Sequence, residues 1–163
     1  MSVASTRDAD VESAAADLPD RPISPHPNLV TATGLADLDA ALAAARAAYA
    51  SAQSAGTVGA DRTPMARATR DLRYYAARRA SAQLVPSVGR SDAVWFGDTV
   101  TFEREDGRRQ TYRIVGEDEA DPAAGAIYYA SPLARALLGK SVGDSIHLGD
   151  GEIEVLAFQP PDR

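Results

Sequence analysis

Residues 131–140 read SPLARALLGK, and this short stretch carries a full set of helix signals between two β-rich segments. Ser131 can cap a helix start, and Pro132 suits the first helical position, where a missing N–H costs nothing. Gly139 suits the C-terminal cap. The apolar side chains share one helical face: Leu133, Ala134, Leu137 and Leu138. The pattern therefore predicts a short helix that packs on a sheet.

Five β-branched and aromatic runs around this helix predict the strands of that sheet. They are VWFGDTVTF (94–102), QTYRIV (110–115), AIYYA (126–130), DSIHL (144–148) and EIEVLAF (152–158). Asp106-Gly107 and Asp150-Gly151 supply the positive φ that tight hairpin turns need. We therefore expect an α+β domain over residues 92–163, in which one short helix covers an antiparallel sheet. The acids between the second and third runs, Glu117 to Asp121, are interpreted as a solvated turn.

Residues 28–91 show the apolar spacing of a short coiled coil. In the first arm the apolar side chains recur at alternating intervals of three and four: Leu35, Leu38, Leu42, Ala45, Tyr49 and Ala52. Thr33 can cap this arm, and Thr63-Pro64 can start the second arm, which Pro86 would end. The pattern predicts an antiparallel helical hairpin.

Charge is distributed unevenly along the 163 residues, whose formal net charge is −6. Residues 1–27 are net −3 and rich in Ala, Ser, Asp and Pro, which predicts a disordered tail. Residues 28–91 are net +4 and residues 92–163 are net −7. The second arm has a predicted basic face: Arg62, Arg67, Arg70, Arg73 and Arg78. This face is either ordinary solvated charge or a contact for phosphates.

Composition excludes several kinds of site. The chain has no cysteine and two histidines, which argues against a thiolate site, a thiol nucleophile and a zinc centre. No apolar run approaches the roughly 20 residues that span a bilayer. The first residues lack the basic start and apolar core of a secretory signal. We expect a cytoplasmic protein without cofactor, metal or membrane contact.

Two long motifs resemble a known family. TYRIVGEDEAD (111–121) and SPLARALLGKSVGD (131–144) resemble the C-terminal domain of the bacterial transcript-cleavage factors GreA and GreB, and VWFGDTVTF fits the first strand of that domain. LVTATGLADLDAAL (29–42) resembles the opening of the Gre coiled coil. The resemblance implies an FKBP-like fold over residues 92–163.

The resemblance also implies a partner. Gre factors dock on RNA polymerase at the rim of the secondary channel, and their coiled coil enters the channel. The docking residues carried over are Ser131, Pro132, Leu133 and Arg135. For Ser131-Pro132 a plain helix cap remains the alternative. The basic face of the hairpin implies a weak contact with RNA or DNA in the complex.

The tip of the hairpin departs from the family. In Gre factors a GDxSENxxY motif places two acids there, which help to hold a second Mg²⁺ ion and a water. Here the first acid falls on Asp61 and the second on Pro64, and no other acid lies between Asp39 and Asp71. Each arm is also shorter than the family pattern by about ten residues, or about 15 Å at 1.5 Å per residue.

The sequence therefore predicts a polymerase-binding transcription regulator that is not an enzyme and does not stimulate transcript cleavage. Two alternatives stay open. One is a cleavage-stimulating elongation factor that uses Asp61 alone. The other is a regulator of nucleoside diphosphate kinase like Rnk, which also resembles Gre factors with a shortened coiled coil.

Overall fold

The computed structural model describes residues 18–55, 61–87, 89 and 91–162. The chain divides into two compact units. One comprises Asp37–Ser81 with the segment that ends at Pro25, and the other comprises His26–Ala36 with Ala82–Arg163. This division differs from the predicted domains 1–27, 28–91 and 92–163. Residues 56–60, which join the two arms of the predicted hairpin, lie outside the described residues.

Helices and strands follow one another in this order: β1 (Leu29–Val30), α1 (Ala32–Ser54), α2 (Thr63–Ser81), β2 (Gln83–Leu84), β3 (Thr99–Arg104), β4 (Arg109–Val115), a 3-10 turn (Pro122–Ala124), β5 (Ala126–Tyr128), α3 (Pro132–Leu137), β6 (Ser145–Leu148) and β7 (Gly151–Gln159). The structure is α+β, as the sequence predicts, with two long helices followed by a sheet that carries one short helix.

The five-stranded sheet has the order β5-β4-β3-β7-β6. Strand β3 pairs antiparallel with β4 and β7, and β6 pairs antiparallel with β7. Strand β5 pairs parallel with β4, with Ile114 opposite Ile127. The prediction of a purely antiparallel sheet was therefore wrong at this edge, because the loop with the 3-10 turn returns the chain before β5 begins.

The core of this unit lies between the sheet and α3. Its buried side chains are Val94, Phe96, Val100, Phe102, Ile114, Ile127, Ala134, Leu137, Ile153 and Val155. The alternation along β3, where Val100 and Phe102 are buried and their neighbours are not, is the period of a strand with one face on a core. The predicted apolar face of α3 is confirmed, because Ala134 and Leu137 are fully buried and Leu133 and Leu138 pack beside them.

The two predicted hairpin turns are present, but one uses a different glycine. Gly107 has a φ of +83° between β3 and β4, as the Asp-Gly pair predicts. Between β6 and β7 the positive φ, +61°, belongs to Gly149. Gly151 instead opens β7 and pairs with Leu148, so the Asp150-Gly151 prediction was wrong by two residues.

Residues 28–31 and 83–85 form a small sheet within the same unit. Strands β1 and β2 pair in parallel, and the amides of Gln83 and Val85 donate to the carbonyls of Asn28 and Val30 at 2.8 and 3.0 Å. A Cβ atom on Gly116 would lie 2.1 Å from the Leu29 carbonyl oxygen, so only glycine permits this approach. These contacts explain why the start of α1 belongs to the C-terminal unit.

Helix α1 is capped by Thr31 rather than by the predicted Thr33. The Thr31 hydroxyl oxygen accepts a hydrogen bond from the Gly34 amide at 3.0 Å, which is the usual N-cap geometry. The same hydroxyl donates to Glu119, whose other oxygen accepts from Arg113. The Glu119 side chain is only 6% exposed. The interpretation of residues 117–121 as a solvated turn was therefore wrong for Glu119, because this carboxylate fixes the cap.

The hairpin unit has a much smaller apolar interior. Along α1 the buried side chains are Leu38, Leu42 and Ala45, and the remaining predicted seam positions are half-buried. Along α2 the buried residues are Ala66, Ala68 and Arg78. Helix α2 ends at Ser81, earlier than the predicted stop at Pro86, because the chain turns there into β2.

Part of the predicted tail packs against the protein. The prediction of disorder over residues 1–27 was wrong for the described end of this range, while residues 1–17 lie outside the described residues. Asp20 and Arg21 contact α2 within the hairpin unit. In the C-terminal unit, the Tyr129 hydroxyl donates to the Pro27 carbonyl at 2.7 Å. Four prolines between positions 19 and 27 limit the entropy that this ordering costs.

Candidate functional site

The four predicted docking residues lie together at the start of α3. The Ser131 hydroxyl accepts the Ala134 amide at 3.3 Å, so the predicted cap is formed. Pro132 and Arg135 are exposed, and Leu133 is half-buried against the core. The exposed surface of this turn is thus the Pro132 ring and the Arg135 guanidinium, and the buried Ala134 and Leu137 anchor the helix below them. A rigid, partly apolar and singly charged surface of this kind suits a protein partner.

An aromatic cluster precedes this helix. The rings of Tyr128 and Tyr129 meet edge to face at 5.0 Å, and Phe96 and His26 contact them at 5.8 and 6.2 Å respectively. Burial raises the pKa of the Tyr129 hydroxyl. The two tyrosines therefore pack within the unit and hold the chain that leads into Ser131.

Trp95 is a surface residue, although the predicted strand over residues 94–102 would place it in the sheet. Its side chain is 47% exposed, because residues 94–98 form a turn in place of the first half of the predicted strand. Asp98 is buried in this turn and its carboxylate accepts the Trp95 amide at 2.8 Å. Burial raises the pKa of the Asp98 carboxyl, and the hydrogen bond from Trp95 opposes that rise. The Phe96-Gly97-Asp98 turn signal could have revealed this geometry.

Asp61, the acid expected at the tip, lies at the start of α2. Its carboxylate accepts the Thr63 amide at 2.9 Å. Thr63 opens the helix, so the capping role predicted for Thr63 belongs to the side chain of Asp61, with Pro64 one position further in. Hydrogen bonds from the side chain and the backbone of Thr63 hold the pKa of Asp61 below its ordinary value. The carboxylate is fully exposed and charged, and its nearest task is to cap a helix.

The five arginines of the predicted basic face have different environments. Arg62 and Arg67 are exposed and form no ion pair with the described residues. Arg70 pairs with Asp71 at 3.3 Å, and Arg73 pairs with Asp20 at 3.4 Å. Arg78 is only 2% exposed, so its placement on an exposed face was wrong. Arg79 of α2 forms an ion pair with Asp39 of α1.

The described part of the chain shows neither a cluster of metal-binding side chains nor a membrane-spanning helix. There, no three His, Asp or Glu side chains are grouped closely enough to hold a metal ion. None of the helices between residues 18 and 162, outside the gaps given above, combines the length and apolar composition that crossing a bilayer requires.

Comparison with known proteins assigns the C-terminal unit. Residues 89–159 match the family described as "Transcription elongation factor, GreA/GreB, C-term". This range contains the whole five-stranded sheet, α3 and its four candidate docking residues. Residues 89–159 are therefore a C-terminal domain of the GreA/GreB type.

Individual relatives agree with this assignment. The transcription elongation factor GreB of Neisseria meningitidis serogroup B is 42% identical over 96 residues, which is 55% of this chain and 59% of that protein. GreA of Bacillus licheniformis is 54% identical over 57 residues, covering 34% and 36% of the two chains. GreA of Agrobacterium fabrum is 51% identical over 69 residues, covering 39% and 44%. The chain thus spans less than two thirds of the length of these relatives.

Two solved structures are similar at low identity. The GreA factor homolog 1 (Gfh1) protein of Thermus thermophilus is 22% identical with a TM-score of 0.37, covering 82% of this chain and 99% of that one. A GreA/GreB factor from Nitrosomonas europaea is 17% identical with a TM-score of 0.40, covering 80% and 98%. TM-scores below 0.5 give these two likenesses no weight for the function.

Proposed function

We propose that this chain is a regulator of transcription that binds RNA polymerase through the α3 surface and does not stimulate transcript cleavage. It would dock at the rim of the secondary channel and present its helical hairpin to the channel. It has no catalytic activity of its own in this proposal. The main support for the absence of cleavage stimulation is that Asp61 is the single acid between Asp39 and Asp71.

The docking part of the proposal is supported by the construction of α3. Ser131 ties the first turn of the helix, while Ala134 and Leu137 anchor the opposite face in the core. This fixes the exposed Pro132 and Arg135 without the entropy cost that a flexible loop would incur on binding. A cap and a docking surface are compatible here, because the Ser131 hydroxyl is used within the helix and the contacts are left to its neighbours.

The small number of side chains at the hairpin tip that could bind a second Mg²⁺ ion argues against cleavage stimulation. A second Mg²⁺ ion at a hydrolytic centre needs hard oxygen ligands beyond those of its partner, and it helps to activate the attacking water. At the tip, Asp61 already accepts the Thr63 amide, and Pro64 offers no side-chain ligand. One partly engaged carboxylate is a weak contributor to such a site.

Reach supports the same conclusion. Helices α1 and α2 have 23 and 19 residues. They extend about 35 and about 28 Å at 1.5 Å per residue. Arms shorter by about ten residues than the family pattern would end about 15 Å short of the position that Gre tips reach from the same rim.

The direct test is RNA cleavage in a stalled, backtracked elongation complex. We expect no shortening of the transcript when this protein is added, whereas GreA in a parallel reaction should shorten it. Cleavage that is present with the natural chain and lost in Asp61→Ala would overturn the proposal and support a cleavage factor that uses Asp61 alone.

A separate test addresses docking. Core RNA polymerase should retain the natural chain, and Pro132→Ala or Arg135→Ala should reduce retention, because both side chains are exposed and neither supports the core. Lys140→Ala is the control variant, because it also removes a basic side chain but from a position beyond the C-terminal end of α3. Equal retention of all three variants and the natural chain would refute docking through α3.

A further inference from the structure

Residues 18–25, which we call the strap, cover part of the arginine-bearing surface of α2. Asp20 Oδ1 lies 3.4 Å from Arg73 Nη1. The guanidinium carbon of Arg21 lies 3.8 Å from the centre of the Tyr74 ring. Arg21 Nη1 also lies 3.7 Å from Asp71 Oδ1, which itself pairs with Arg70. Two neighbouring strap residues thus contact two neighbouring residues of α2, since Asp20 pairs with Arg73 and Arg21 stacks on Tyr74.

These two contacts have the chemistry of a bound nucleotide. A carboxylate on Arg73 stands where a phosphate oxygen would bind, since guanidinium groups recognise both anions in the same way. The planar guanidinium of Arg21 stands over Tyr74 where a base would stack. Tyr75 supports Tyr74 edge to face, with the ring centres 5.1 Å apart. The face beneath the strap therefore combines a stacking ring with positive charge.

The contacts that hold the strap are individually weak. The side chains of Asp20 and Arg73 are 66% and 67% exposed. Exposed ion pairs of this kind contribute little and are screened by salt. The Arg21 guanidinium over the half-buried Tyr74 ring adds a similarly modest contribution. The strap can consequently remain seated in the isolated protein and still be displaced by a ligand that makes several contacts at once.

We propose that the strap is an autoinhibitory cover for a face of α2, formed by Tyr74 with Arg70 and Arg73, that binds single-stranded nucleic acid. The strap lowers the affinity of this face by placing Asp20 on Arg73 and Arg21 on Tyr74. The inference concerns the hairpin alone and is independent of docking through α3, so its test needs no polymerase.

The test measures binding of the full chain to a short, fluorescein-labelled single-stranded RNA by anisotropy over a range of salt concentrations. Asp20→Asn removes the strap's anion, and Asp37→Asn is the matched control, because it removes the same charge from an exposed position on α1. We expect Asp20→Asn to bind several-fold more tightly than Asp37→Asn at low salt. The slope of log K against the logarithm of salt concentration should be steeper for Asp20→Asn than for Asp37→Asn by about 0.7, the value for one added phosphate contact.

A second variant examines the ring. Tyr74→Leu in the Asp20→Asn background should lose about fivefold or more in affinity, as expected for a lost stacked base, while far-UV circular dichroism stays that of the natural chain. Equal affinities for the two asparagine variants would overturn the proposal. So would unchanged RNA binding by Asp20→Asn with a lowered melting temperature, because that outcome assigns the strap a purely structural role.

Discussion

The two units of this chain bury very different amounts of apolar surface. The C-terminal unit buries large side chains completely, with Val100, Phe102 and Ile114 at zero exposure. The hairpin unit buries two leucines, three alanines and Arg78 among its described residues. Alanines let two helices approach closely but remove little apolar area from water. The sheet unit therefore supplies most of the stability of the molecule, whereas the hairpin is free to vary its surface.

The largest effect should come from the core of the sheet unit. Phe102→Ala should lower its free energy of unfolding by about 3–5 kcal/mol, because the ring is fully buried and would leave a cavity. Trp95, the only tryptophan, lies in this unit and reports its unfolding by fluorescence in denaturant. Gln159→Ala, an exposed change on β7, should stay within about 0.5 kcal/mol of the natural chain. A loss below about 1 kcal/mol for Phe102→Ala would break the comparison.

A smaller effect is expected where the first helix is capped. Glu119→Ala should cost about 1.5–3 kcal/mol, because the buried carboxylate accepts hydrogen bonds from Thr31 and Arg113. Glu119→Gln keeps one acceptor oxygen and should lose less. Fluorescence and circular dichroism at 222 nm would both follow the change. Equal stability of the alanine variant and the natural chain would show that this carboxylate does not hold the cap.

The hairpin interior should respond more weakly. Leu42→Ala should cost about 2 kcal/mol, the low end for a buried leucine, because thin helical pairs relax around a lost side chain. The loss should appear in circular dichroism at 222 nm and leave the Trp95 fluorescence transition in place. Ala43→Ser, an exposed neighbour, is the control. Movement of both transitions together would contradict this expectation, because the two units would then unfold as one.

The smallest effect is a dependence on pH. Burial raises the folded pKa of Asp98 above its ordinary value of 3.8. The folded state therefore resists ionisation, so Asp98 lowers stability progressively as pH rises from about 3.8 through the folded pKa. Asp98→Asn carries no charge and should gain stability relative to the natural chain at pH 7 but not at pH 3. Exposed Asp92→Asn is the control, and the same gain at both pH values would contradict this account.

Much of the fold could be predicted from local patterns. The β-branched runs, the Ser131-Pro132 start and the closing Gly139 predict elements within a few residues, because each depends on neighbours in the chain. The parallel edge strand β5 could not be predicted this way, since the direction of a strand depends on how a loop returns it. The capping of α1 by Thr31 was missed for a related reason, as its partner Glu119 lies 88 residues away.

The candidate sites were predicted unevenly. The four proposed docking residues lie together at the start of α3, as their motif predicts, because a helix that the sequence specifies locally fixes their positions. The basic face was only partly correct: a helical wheel places Arg78 with the other arginines, yet it is buried. The strap was missed, since its contacts join residues 53 positions apart and composition alone indicates disorder.

The small parallel sheet of β1 and β2 has one more consequence. The chain leaves this small sheet after Val30 and returns to it at Gln83, on neighbouring strands about 5 Å apart. The β1–β2 pairing therefore holds together the two ends of the segment that lies between these strands. Whole heptads can be added to or removed from both arms without disturbing the stable body. The length of the hairpin can therefore change while the sheet unit stays the same.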